Sequence, residues 1–287
     1  MTIPSLPDLV LDPIVRLAIA EDLGQAGDVT SDICIPKAAR ATAQLVARED
    51  GRIAGLDAAA LALRMIDPDA RLQIHIADGQ NAPAGASIAT LEGSARSLLT
   101  AERTMLNFVG HLSGIAGLAK SFVTAVAGTG VHIVCTRKTT PGLRALEKRA
   151  VRLGGALNHR FNLADAILIK DNHIVAAGGI GPALTRARAA VGHLMAIEIE
   201  VDNLGQLAEA LPYGPTAVLL DNMSDSELRQ AVQMVSQHQG PNRILTEASG
   251  GVNLSTVRGI AETGVNYISA GAITHSAKRM DVALDFE

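Results

Sequence analysis

Residues 195–222 read MAIEIEVDNLGQLAEALPYGPTAVLLDN: an apolar β-branched run, a stretch that can hold a helix, and a second apolar run ending in Asp221-Asn222. Two strands joined by a helical crossover make a parallel pair, because a crossover is needed to return the chain to the same end of the sheet. The rhythm extends in both directions. VHIVCT (131–136), AILIK (166–170), MAIEIEV (195–201), TAVLLD (216–221), RILTEAS (243–249) and NYISAG (266–271) are each separated by enough chain for a helix. Strands that are nearly continuous apolar runs imply a sheet covered on both faces, either a barrel or a doubly wound sheet. Almost every run ends in polar residues: Arg137-Lys138, Lys170-Asp171, Glu198 and Glu200, Asp221-Asn222, Glu247 and Ser249, and Ser269. In a parallel barrel those ends share one rim, where loops supply chemistry. Six strands fall short of eight. The expected fold is therefore α/β, an incomplete parallel α/β barrel of about six strands with a smaller α+β N-terminal domain.

That smaller domain is read from the segments upstream. AQLVARED (43–50), RLQIHIADG (71–79) and ASIATLEG (86–93) alternate like strands, with LDAAALALRMI (56–66) as a helix between them. A first helix is expected to open at Asp12-Pro13 and run to Glu21, and a long helical pattern from roughly Ser94 to Ala127 to break at Gly110, Gly114 and Gly117. The change of rhythm predicts domains over 1–115 and 116–275, with 276–287 packing back on the first.

Composition narrows the function. Aromatic residues make up 2% of the 287, with no Trp, so the stacking platforms of a nucleic-acid reader are nearly missing. A net charge of −4 gives no general attraction to polyanions. No apolar stretch approaches the ~18 residues of a membrane span. The opening MTIPSLPDLVLDP carries no Lys or Arg, unlike a secretory signal, so a cytoplasmic protein is expected. Cys34 and Cys135 match no metal or redox spacing and read as reduced, buried thiols.

Charge is distributed unevenly. Between Arg137 and His173 eight Lys or Arg stand against three acids, in a chain whose overall charge is negative. Arg144, Lys148, Arg149 and Arg152 read as the solvated face of one helix. Arg137, Lys138, His159, Arg160 and Lys170 lie at or between strand ends and suggest convergence on an anion with several acidic groups, which mixed Arg forks and Lys point charges suit. Arg103, in AERTMLNF, reads on pattern alone as a surface residue. Glu200 and Asp221 at neighbouring strand ends could hold Mg²⁺ through water or accept hydrogen bonds from sugar hydroxyls; the alternative is plain pairing with nearby cations. Single histidines such as His75 and His132 read as structural. The small-residue loops Glu247-Ala248-Ser249-Gly250-Gly251 and Ser269-Ala270-Gly271-Ala272 follow the last two strands, where barrels often bind phosphate. No Walker A sequence is present, and Gly178-Gly179-Ile180-Gly181-Pro182 lacks the third glycine of a dinucleotide fingerprint. Together these groups point to transfer involving a phosphorylated sugar.

Eight stretches carry a closer likeness: EDLGQAGDVTSD (21–32), ERTMLNFVGHLSGIAG (102–117), TRKTTPGLR (136–144), NHRFNLADAILIKDNH (158–173), EIEVDN (198–203), LLDNM (219–223), EASGGV (247–252) and ISAGAITHS (268–276). They resemble the quinolinate phosphoribosyltransferase family over nearly the whole chain. The resemblance implies conversion of quinolinate and phosphoribosyl pyrophosphate to nicotinate mononucleotide, pyrophosphate and CO₂, with Mg²⁺, in the de novo synthesis of NAD. It implies that Arg103, Thr136, Arg137, Lys138, His159, Arg160 and Lys170 bind quinolinate, and that Lys138, Lys170, Glu200 and Asp221 carry catalysis. Ser249, Gly250, Ala270, Gly271 and Ala272 would hold the 5-phosphate, and Glu200 and Asp221 the ribose hydroxyls and, indirectly, Mg²⁺. It also implies a homodimer or higher homo-oligomer in which Arg103 reaches the other subunit's site. Asn162 departs from the pattern, standing where the family usually has Gly. The rival readings are a molybdenum-transport-associated paralogue, a nicotinate phosphoribosyltransferase and a non-catalytic phosphoribosyl-binding regulator.

Overall fold

The structure is a computed structural model that describes residues 3–240 and 242–287. Met1 and Thr2 of the opening stretch, and Pro241, lie outside the described residues. The chain forms two compact units: one takes the chain up to Lys120, Thr139–Gly155 and Ile273–Glu287, the other Ser121–Lys138 and Ala156–Ala272.

In the first unit α1 (Asp8–Leu23) and α2 (Val29–Cys34) precede β1 (Arg40–Ala47) and the short β2 (Gly51–Arg52). There follow α3 (Leu56–Ile66), β3 (Arg71–Ile74), the short β4 (Asn81–Ala82), β5 (Ser87–Ser94) and α4 (Ala95–Ala125). Strands β1, β3 and β5 pair antiparallel in an alternating apolar and polar pattern that buries Ala43, Leu45, Ala89 and Leu91 on one side. The strand Val282–Phe286 completes this sheet against β1, with Leu45 opposite Leu284. Helix α3 buries Leu56, Ala59 and Leu63 along one face at the i, i+3, i+7 spacing of a helix, and Leu61 beside them.

Three sequence expectations are corrected in this unit. Helix α1 starts at Asp8 rather than Asp12, because the carboxylate of Asp12 accepts from Arg16 one turn on (Nε 3.2 Å, second nitrogen 2.9 Å) instead of capping. Cys34, expected to be buried, is exposed in the last turn of α2; Cys135 is buried, and neither forms a disulfide. Helix α4 runs unbroken for 31 residues through all three glycines. Two of them serve packing: a Cβ at Gly114 would overlap the Lys278 carbonyl, and one at Gly110 would lie 2.9 Å from that of Met280. The segment leading to the last strand thus presses on bare helix backbone, and Met280 N–H donates to Gly110 O at 2.9 Å.

A fourth correction concerns α5 (Arg144–Leu153). Its presumed solvated face is substantially buried: Glu147 is 0% exposed, Lys148 1% and Arg149 9%. Burying a charge requires partners. Arg149 donates to Asp78 at 2.6 Å and to the Pro4 carbonyl at 3.0 Å, and lies 3.3 Å from Asp57. Glu147 accepts from His111 Nε2 at 2.9 Å and from Thr140 N–H at 3.2 Å. These charges are far apart in sequence, which is why the helix alone read as solvated.

The second unit holds β6 (His132–Val134), β7 (Ile167–Ile169), α6 (Asp171–Ala177), α7 (Ile180–Ala190) and β8 (Ile197–Val201). It continues with α8 (Leu204–Ala210), β9 (Ala217–Asp221), α9 (Asp225–Gln237), β10 (Leu245–Ser249), α10 (Val257–Ala261) and β11 (Tyr267–Ser269). All six strands are parallel in the order β6-β11-β10-β9-β8-β7, each lying within the run that predicted it. Leu157 adds one bridge beside Val134, and β7 lies at the other edge of this six-stranded sheet, so no closed barrel forms among the described residues. No helix of the described residues is long and apolar enough to cross a membrane.

Candidate active site

Strand register sorts the side chains of the parallel sheet. Paired residues share a face, and faces alternate along a strand. Glu200 and Glu247 both pair with Leu219, and Glu247 pairs with Tyr267 on its other side. By alternation Glu198, Asp221, Ser249 and Ser269 lie on that same face. The opposite face carries Ile199, Val201, Val218, Leu220, Ala248 and Ile268, all buried. One face is therefore apolar, and the other becomes polar toward the strands' C-terminal ends.

The predicted carboxylates stand there with different partners. Glu200 forms an ion pair with the Lys170 ammonium, which follows β7. Asp221 accepts from the Asn222 amide (Nδ2 to Oδ2, 2.6 Å). Asn222 N–H donates to Ser249 O at 2.9 Å, so the ends of β9 and β10 are tied together. Beyond Ser249, Gly250 and Gly251 have φ of 94° and 58°, a left-handed turn that glycine adopts readily. Ser269 and Ala270 are buried at the end of β11, where Ala270 N–H donates to Val134 O at 3.0 Å; Gly271 and Ala272 follow, half-buried.

Below the rim lies a cluster that sequence spacing did not signal. His159 Nε2 is 3.0 Å from Glu198 Oε2 and 3.7 Å from Glu247 Oε1, and the ligand-type atoms of all three lie within 4.8 Å of one another. His159 Nδ1 accepts the Arg160 backbone N–H at 2.8 Å, which places the ring proton on Nε2, toward Glu198. The residues are 39 and 49 positions apart along the chain; the parallel register puts the two carboxylates on one face, and the segment before β7 brings His159 to them. Three such ligands could hold a metal ion, and they equally form a hydrogen-bonded acid cluster.

Burial, and then the neighbouring Glu198 charge, push the Glu247 carboxyl up to about 7, against the attraction of His159. The folded value lies above the ordinary 4.5, so the fold binds this proton more tightly than the unfolded chain does. The associated stability is full below about 4.5 and is lost as pH rises through about 7. Glu247→Gln, neutral at every pH, should match the wild-type melting temperature near pH 4.5. At pH 8 it should exceed it by about 2–6 °C. Equal differences at both pH values in thermal unfolding would contradict this.

The predicted cations occupy several positions. Arg160 is half-buried; one guanidinium nitrogen donates to Ala166 O at 2.9 Å, while its buried Nε–H has no hydrogen-bond partner. Burial and nearby Arg137 pull its pKa below the usual value, despite Glu198 and Asp165. Arg137 is half-buried, and Lys138 is exposed with its N–H donating to Thr136 Oγ1 at 3.0 Å. Arg103 is exposed on α4 in the first unit. Asn162 needs no left-handed backbone, and its side chain accepts from Ala164 N–H at 2.7 Å.

The structure is that of a parallel α/β protein whose carboxylates, Lys170 and diglycine turn lie toward the C-terminal ends of the strands, where such folds carry their sites. The matches are more specific. Residues 28–113 match the quinolinate phosphoribosyl transferase N-terminal domain and residues 115–285 its C-terminal domain. A Mycobacterium leprae protein named nicotinate-nucleotide pyrophosphorylase (carboxylating) is 44% identical over 273 residues, covering 94% of this chain and 95% of the relative. A Nicotiana glauca protein named quinolinate phosphoribosyltransferase (decarboxylating) 1 is 39% identical, over 99% of this chain and 84% of its own length. The solved nicotinate-nucleotide pyrophosphorylase of Francisella tularensis superposes with a TM-score of 0.93 at 36% identity, over 100% of this chain and 99% of the other. The chain belongs to the quinolinate phosphoribosyltransferase family.

Proposed function

We propose that this enzyme transfers the phosphoribosyl group of phosphoribosyl pyrophosphate to quinolinate with decarboxylation, yielding nicotinate mononucleotide, pyrophosphate and CO₂ for NAD synthesis. The observation in its favour is half-buried Arg160, whose buried Nε–H is left without a hydrogen-bond partner near Arg137. An unmatched buried donor costs about 1–3 kcal/mol unless something accepts from it, and a carboxylate of quinolinate would. In this reading Thr136, Arg137, Lys138, His159, Arg160 and Lys170 receive the dicarboxylate, and Glu200 and Asp221 the ribose hydroxyls. Ser249, Gly250, Ala270, Gly271 and Ala272 receive the 5-phosphate.

The bond from the anomeric carbon to pyrophosphate breaks as the ring nitrogen bonds to that carbon. The carboxylates of Glu200 and Asp221 stabilise the electron-poor carbon, and Lys138 and Lys170 the departing charge. The ring nitrogen is then cationic. The electron pair left by CO₂ at the adjacent carbon is stabilised beside it and takes up a proton. Carboxylate oxygens on adjacent strands suit Mg²⁺, so Glu200 and Asp221 would hold it, directly or through water. When bound it adds positive charge near the diphosphate.

The reading includes a cytoplasmic enzyme, in keeping with the exposed free thiol of Cys34, and a homodimer or higher homo-oligomer. Exposed Leu9, Leu17 and Ile33 in the first unit support self-association. Purified protein given quinolinate, phosphoribosyl pyrophosphate and Mg²⁺ should release CO₂ and pyrophosphate in equal amounts. Turnover of nicotinate but not quinolinate would sink the proposal. If Arg103 serves the neighbouring subunit, mixing inactive Arg103→Ala and Lys138→Ala variants should recover up to about a quarter of wild-type activity. No recovery, once mixed oligomers are demonstrated, would refute sharing.

A further inference from the structure

Asn222 is the single non-glycine residue with positive φ (53°) among the described residues. Such a backbone costs most side chains free energy, asparagine less than most and glycine least. Glycine would therefore be the easy residue here, and what it would lack is the amide. That amide and its backbone make three connections. Nδ2 donates to Asp221 Oδ2 at 2.6 Å, and the backbone N–H donates to Ser249 O at 2.9 Å. The rest of the amide fills the space where Gly250 has no side chain: a Cβ there would overlap it and lie 2.8 Å from Asn222 N. The side chain is exposed, so burial does not hold it in place.

We infer that Asn222 is a positioning residue that fixes the Asp221 carboxylate relative to the Ser249-Gly250-Gly251 loop. It thereby sets the spacing between the groups that grip the two ends of a 5-phosphorylated ribose. The inference rests on the functional reading above and adds to it a residue specific to one of the two substrates. The aromatic dicarboxylate is assigned to other side chains, so its binding should be insensitive to Asn222. Phosphoribosyl binding should follow it.

The test uses full-length wild type, Asn222→Gly, Asn222→Asp and Asn222→Ala. Asn222→Gly relieves the backbone and removes the amide, so it should keep the wild-type melting temperature. Loss of one hydrogen bond to a charged group should raise its KM for phosphoribosyl pyrophosphate about tenfold, with KM for quinolinate changed less than twofold. Asn222→Asp tolerates the same backbone but sets a second carboxylate against Asp221, and should raise the phosphoribosyl KM further. Asn222→Ala should additionally melt lower. A purely structural role predicts an unaltered phosphoribosyl KM for Asn222→Gly, or equal rises for both substrates; either result overturns the inference. Calorimetric binding of phosphoribosyl pyrophosphate supplies the same comparison without turnover. If wild type failed to turn over quinolinate, the functional reading would fall, while the calorimetric ratio would still decide the role of Asn222.

Discussion

Lys170→Ala is expected to lower kcat/KM by about 10²–10³, the scale seen when one preorganised charge-stabilising group is removed. Its ammonium forms the ion pair with Glu200 and follows β7, with the side chain 45% exposed. Removing it takes one positive charge from the position assigned to departing pyrophosphate and leaves Glu200 unpaired. An exposed lysine contributes little to folding, since surface ion pairs typically contribute about 0–1 kcal/mol. The expected result is thus a catalytic loss with the melting temperature nearly unchanged. Steady-state kinetics within twofold of wild type would remove Lys170 from the machinery, and a large drop in melting temperature would recast it as structural.

Gly250→Ala should be the most damaging single-methyl change on the rim. At φ 94° an alanine is strained by about 1–3 kcal/mol, and its Cβ would overlap the Asn222 side chain. The neighbouring position provides the control. Gly251 also has positive φ, 58°, but a Cβ there meets nothing within 4 Å. Gly251→Ala should therefore show backbone strain alone, whereas Gly250→Ala should melt lower still and bind phosphoribosyl pyrophosphate at least about tenfold more weakly. If the two variants unfold and bind alike, the close approach of Gly250 to Asn222 has no energetic consequence.

The parallel sheet was legible because its strands are short, nearly continuous apolar runs, and almost every run ends in polar residues. The six runs located β6 to β11, and Glu200, Lys170, Asp221 and Ser249 fell at or just beyond strand ends as their positions in the runs implied. What the chain did not reveal locally is long-range pairing. Lys148 and Arg149 looked like a solvated stripe because their burial depends on residues from other stretches, such as Asp57 and Asp78 for Arg149. The acid cluster was missed for the same reason: Glu198 stood only as one of the polar residues closing its run, and Glu247 as the start of a loop. Asking which polar residues share parity across adjacent strands would have united Glu198 and Glu247. His159, outside any strand, had no such signal. Gly110 and Gly114 misled as helix breakers because a helix tolerates glycine where another segment needs to approach its backbone.

The pairing of β1 with the strand Val282–Phe286 has a consequence during synthesis. Leu45 and Leu284 are separated by most of the chain. At ribosomal rates of about 5–20 residues per second, one edge of the first sheet waits roughly 12–48 s for its partner strand to emerge. Throughout that interval β1 presents unsatisfied peptide groups, the surface that invites edge-to-edge aggregation. Nascent chains stalled before residue 282 should thus be more chaperone-dependent than chains released whole.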